Sequence, residues 1–196
     1  KLDYYMLEEV CHFLRKWMDE GHAPICISVN FSRKHLDEDD MVEHIVSILD
    51  EHGIAHQYIE IELTESEDFQ NYEIMTNIVN ELSEAGIGTS MDDFGTGFSS
   101  LNMIKKLDLK VIKIDRSFIP LETDYSGKDK DMIMFCNIVT LLRELGKKTI
   151  AEGVETQQQL RYLENAGCDI VQGYVFDKPL CEADFRMRLE NGYGSC

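Results

Sequence analysis

The chain has 196 residues, 43% of them hydrophobic and 29% charged, with a net charge of −18, the composition of one ordinary globular domain with a substantial core. It holds no apolar run of about 18 residues and opens without a signal-peptide pattern, which excludes an apolar membrane-spanning helix. So large an acid excess disfavours duplex nucleic acid and anionic lipid, yet leaves metal-assisted phosphate chemistry open, because a bound cation reverses the local sign.

Apolar residues Leu7, Val10, Leu14 and Trp17 recur at helical spacing, with Gly21 as a stop. Ile25 to Val29 reads as a buried parallel strand, and Val42, Ile45, Ile48 and Leu49 as a helix ending at Gly53. Tyr58 to Leu63 alternates as a strand; a helix over Tyr72 to Ala85 stops at Gly86. Then come a strand from Gly88 to Met91, a short helix from Phe98 to Leu107 and a strand from Val111 to Ile114. The polar stretch 121–131 reads as a mobile loop, and Ile133 to Leu145 as a longer helix. A strand from Thr149 to Ala151, a helix around Gln157 to Ala166, a strand beginning at Ile170 and Val171, and a helix from Glu182 to Glu190 complete the series.

Strands alternating with helices imply βαβ units and a parallel sheet. No GxGxxG follows a strand and no Walker loop is present, so a nucleotide-fold sheet has little support. An eight-unit barrel takes about 250 residues, so this chain is expected to be a single domain over 1–196 that lacks one or two N-terminal units and belongs to something longer.

Each strand runs into polar residues: Asn30; Glu62, with Glu65 just after; Asp92 and Asp93; Lys113 and then Asp115; Glu152; and Gln172. A parallel barrel gathers its strand C-termini on one face, so these residues are expected to converge on one pocket. Asn30, Glu62, Asp92, Asp93 and Glu152 make an oxygen-rich set suited to Mg²⁺ or Mn²⁺. Without a cation, four clustered carboxylates repel one another. Two such metals suit in-line attack of water on a phosphodiester, with Lys113 steadying the hydroxide or the phosphate charge. Taken singly, each acid reads as readily as a cap or loop charge, and Asp92–Asp93 as a turn former.

Six cysteines without a CxxC pair read as reduced, buried thiols of a cytoplasmic protein. The histidines, all between His12 and His56, read as surface or loop residues; Gly53 breaks the helix that would align His52 with His56.

Several segments together resemble the EAL domain family. They are Asn30-Phe-Ser32, Glu62-Leu-Thr-Glu65, Asp92-Asp-Phe-Gly-Thr-Gly97, Lys113-Ile-Asp-Arg-Ser-Phe118, Glu152-Gly-Val-Glu155, and Gln172-Gly-Tyr174 through Lys178-Pro179. The resemblance implies a modified TIM-like (β/α)8 barrel that hydrolyses cyclic-di-GMP to linear pGpG with two Mg²⁺ or Mn²⁺ ions. Asn30, Glu62, Asp92 and Glu152 would then be metal ligands, with Asp93 serving the second metal. Lys113 would hold or activate the nucleophilic water, and Gln172 would position water or substrate. Glu65 would anchor the loop from Phe94 to Ser100 and couple metal binding to dimer contacts. The family's Glu-Ala-Leu signature would lie before Lys1, so the activity of these residues alone is open. A homodimer and an upstream sensory or cyclase domain are the expected associations. A silent cyclic-di-GMP receptor and a protein-interaction module are the competing readings.

Overall fold

The structure, a computed structural model, describes residues 1–36, 38–64, 72–94, 104, 106–119 and 130–192. Its elements are α1 (Leu2–Asp19), β1 (Ile27–Phe31), α2 (Met41–Glu51), β2 (Ile59–Thr64), α3 (Tyr72–Glu84), β3 (Gly88–Phe94), β4 (Val111–Ile114), α4 (Lys130–Glu144), β5 (Lys148–Ala151), α5 (Gln157–Ala166), β6 (Ile170–Val171) and α6 (Glu182–Asn191). The expected helix over 98–107 and the polar stretch 121–131 lie largely outside the described residues.

The six strands form one parallel sheet in chain order. Parallel neighbours need a crossover, which α2, α3, α4 and α5 supply for the pairs β1–β2, β2–β3, β4–β5 and β5–β6. Alternation divides each strand. Val29, Phe31, Ile59, Ile61, Leu63, Met91, Ile112, Ile114 and Ala151 are all buried on the helix-covered side. Each large apolar side chain removed from water there contributes roughly 1.5–3 kcal/mol. Helix α1 adds Leu7, Cys11, Leu14 and Trp17, and α2 adds Met41, Ile45, Ile48 and Leu49, in each case one stripe at helical spacing.

The opposite side is polar and partly open. On it Ser28 and Asn30 of β1, and Cys26 just before the strand, are exposed. The first expected strand thus begins two residues late. The expectation of buried thiols also fails at Cys26 and Cys181, which are exposed. The apolar neighbours of Cys26 misled, because period-two alternation puts it on the polar side with Ser28 and Asn30. Cys11 is buried as expected, and burial pushes its thiol up to about 11.

A flat sheet of six strands would hold its edges about 24 Å apart, at ~4.8 Å per strand. Yet the first and last helices touch. Phe13 and Phe185 lie 5.7 Å apart, Arg186 pairs with Glu20, and the Arg186 guanidinium sits 5.5 Å over the Trp17 ring. The sheet therefore curves, and the helix layer closes around it as in a barrel. No helix among the described residues is long and apolar enough to cross a membrane.

Candidate active site

The polar side of the curved sheet gathers a charged cluster from β2, β3, β4 and the end of β5. At its centre is Lys113, only 3% exposed. Its Nζ donates to Glu62 Oε2 at 2.7 Å and lies 2.7 Å from Glu152 Oε1 and 3.2 Å from Asp92 Oδ1. Burial works against the ammonium, but its hydrogen bonds to Glu152 and Glu62 outweigh that and raise its pKa. Glu152 shifts the other way from an ordinary salt-bridged acid. Burial, reinforced by the neighbouring Asp92, overcomes the pull of Lys113 and pushes it up to about 7. One ammonium does not fully compensate three carboxylates, one buried and two half-buried.

Local structure explains how the acids reach one place. In β3 the register to β4 steps three residues from Met91 to Phe94 against two from Ile112 to Ile114. That extra residue is a bulge at Asp92–Asp93, a device that re-aims side chains beside active sites. At the end of β5 the chain turns sharply at Gly153 (φ +68°), where an added Cβ would stand 2.7 Å from Arg116 Cβ. Gln172 is tied in by its backbone: its N–H donates to Ala151 O and its carbonyl accepts from Val154 N–H. The next residue, Gly173, lies so close to Val154 that a Cβ would meet the carbonyl oxygen at 2.2 Å. Each of these two site residues is thus followed by a glycine that its position requires. The G after E and after Q was the available sequence signal for this packing.

The expected residues do not all meet. Asn30 stands beside Glu62 in the β1–β2 register and is exposed. Gln172 is exposed at the end of β6. Neither hydrogen-bonds to the described members of the cluster. Asp115 does not join it; its carboxylate accepts from Ser117 N–H at 2.9 Å and caps the short turn Arg116–Phe118. Burial opposes the ionised form there, but the Ser117 and backbone hydrogen bonds prevail and lower its pKa. Glu65 and the Asp93 side chain lie outside the described residues. His35, expected on the surface or in a loop, lies in the connection between β1 and α2 but is only 6% exposed, with its ring nitrogens 3.0 Å from the Asp3 and Glu38 carboxylates.

As the side chains stand, no three acids or histidines among the described residues share a metal-sized site; the acids gather around Nζ instead. The donor set nonetheless fits a hard divalent cation. All its atoms are oxygens, and Asp92 Oδ1 is buried without a hydrogen-bond partner, at ion-pair distance from Nζ but off hydrogen-bond geometry. More positive charge would relieve both Asp92 and Glu152.

A groove of about 460 Å³ runs beside Gln172, lined among others by Tyr174, Phe176, Lys178 and Phe185. Lys178 Nζ lies 5.8 Å over the Tyr174 ring.

Comparison with known proteins places this geometry. The cyclic di-GMP phosphodiesterase NbdA of Pseudomonas aeruginosa is 36% identical over 180 residues, covering 92% of this chain and 23% of that protein. The bifunctional diguanylate cyclase/cyclic di-GMP phosphodiesterase MucR of the same organism is 36% identical over 176 residues, covering 90% of this chain and 25% of that protein. The chain therefore spans about a quarter of the length of these relatives. Among solved structures, the MucR phosphodiesterase in complex with c-di-GMP superposes with a TM-score of 0.81 at 35% identity, covering 92% of this chain and 72% of the other. The EAL domain of Mycobacterium smegmatis DcpA gives a TM-score of 0.88 at 28% identity over 100% of this chain and 86% of its own. The EAL domain family model matches residues 1–179, and the chain belongs to the EAL domain family, with that family's TIM-like barrel.

Proposed function

We propose that the protein hydrolyses cyclic-di-GMP to linear pGpG, with Mg²⁺ or Mn²⁺ held by Glu62, Asp92, Glu152, Asn30 and Asp93. The observation that carries this reading is the convergence of three carboxylates from three strands on one buried lysine. Bound divalent cations would supply Lewis acidity and lower the pKa of a water at the scissile phosphate.

The chain's own residues do the rest. Lys113, held protonated by its carboxylate partners, presents a fixed positive charge to an attacking hydroxide or to the phosphate oxygens. Glu152, beside Lys113 Nζ, would hold a cation in its ionised form and orient the water bound there. Gln172, fixed by its backbone bonds to Ala151 and Val154, can orient water or substrate at the open rim. In the adjoining groove, Tyr174 offers a face for a guanine and Lys178 a charge for phosphate. Glu65 is assigned the coupling of the loop after β3 to a homodimer contact. The domain is taken as one unit over 1–196, working in the cytoplasm beneath a sensory or cyclase partner domain.

The test is chromatography of cyclic-di-GMP incubated with the protein and Mn²⁺. Formation of pGpG that stops on adding EDTA is expected. Tight binding with no pGpG would replace the enzyme by a receptor.

A further inference from the structure

We propose that His12 and His52 form a two-imidazole chelate for a borderline divalent transition-metal cation, Zn²⁺ or Ni²⁺, that clips α1 to the end of α2. His12 lies on α1, and His52 caps the C-terminal end of α2. Their Nε2 atoms face each other at 3.2 Å, with ring centroids 4.6 Å apart and planes at 78°. Two nitrogens bound to one tetrahedral zinc at 2.0–2.1 Å stand about 3.3–3.4 Å apart, so a cation could enter with little movement of either ring.

The hydrogen bonds also set the tautomer. His52 Nδ1 lies 2.9 Å from the Ile48 carbonyl oxygen, which can only accept, so Nδ1 carries the proton. In the neutral ring Nε2 is then a bare lone pair aimed at His12. Metal-binding histidines are commonly oriented in this way, the far N–H held by a backbone carbonyl. His12 Nε2 currently supplies the proton between the rings, and a cation would take that proton's place.

The site selects a different ion from the carboxylate cluster. Imidazole nitrogen suits zinc and nickel, whereas the all-oxygen cluster suits magnesium and manganese. No third histidine, cysteine or acid completes the pair among the described residues, so water fills the remaining positions. The overall charge of −18 favours cation approach. A bound ion would link positions 40 residues apart in sequence and so restrict the unfolded chain.

The test is calorimetric titration of Ni²⁺ into the full chain held in saturating Mg²⁺. The comparison set is wild type, His12→Gln, His52→Gln and Glu152→Gln. One Ni²⁺ per chain is expected, weakened about tenfold or more by either histidine substitution and unchanged by Glu152→Gln. Equal Ni²⁺ binding in the histidine variants, or none in the wild type, overturns the proposal. A second reading needs no variant: in Zn²⁺-titrated wild type the Nε2 nitrogen resonances of His12 and His52 should shift together. If they stay in place, the chelate does not exist.

Discussion

Lys113 is the residue on which the site's electrostatics turn. It holds Glu62, Asp92 and Glu152 within 3.2 Å of one nitrogen. Removing one member of a buried ion set leaves the others uncompensated and costs about 3–5 kcal/mol. Lys113→Met should therefore lower the metal-free unfolding free energy by roughly that amount in urea titration, and Mn²⁺ should restore part of it. Glu152 gives a pH signature. Its folded pKa of about 7 lies above the ordinary 4.5, so the folded state binds its proton more tightly than the unfolded chain. The stability this contributes is complete below about pH 4.5 and is lost as pH rises through 7, on the order of 3 kcal/mol. Thermal melts in EDTA should show that decline for the wild type and a flatter profile for Glu152→Gln. Mn²⁺ should oppose the decline, because a cation favours the ionised carboxylate.

At the scale of elements, strand ends were legible because parallel βαβ units place them on one side, and period two separates Glu60 and Glu62 from Ile59, Ile61 and Leu63. The bulge in β3 was not legible: nothing in Met-Asp-Asp-Phe states which acid the extra residue turns inward. Nor was the role of Lys113 as the hub of three acids, since charge partners follow from the curvature of the sheet. His35 escaped notice because its two carboxylate partners come from α1 and from its own turn. The glycines after Glu152 and Gln172 were visible as letters, but their need arises only when the two loops pack. Gly173→Ala would drive a methyl into the Val154 backbone. Overpacking of this kind costs about 1–3 kcal/mol, and backbone cannot yield as a flexible side chain can. Urea unfolding should register the loss, and Thr156→Ala at the α5 capping box should cost about 1 kcal/mol by the same measurement.

At the scale of the molecule, the contacts between α1 and α6 show that the ends of the sheet bend toward each other. That curvature turns the strand-end residues of β2 to β5 into one centre, which a flat sheet would have spread over about 14 Å. The most direct measurement is single-turnover cleavage of cyclic-di-GMP in Mn²⁺ by wild type, Asp92→Asn and Glu152→Gln, with substrate affinity measured alongside. Each substitution should slow cleavage by about 10²-fold or more while leaving substrate affinity within about tenfold. Cleavage that persists at the wild-type rate in both variants would place the chemistry elsewhere than around Lys113.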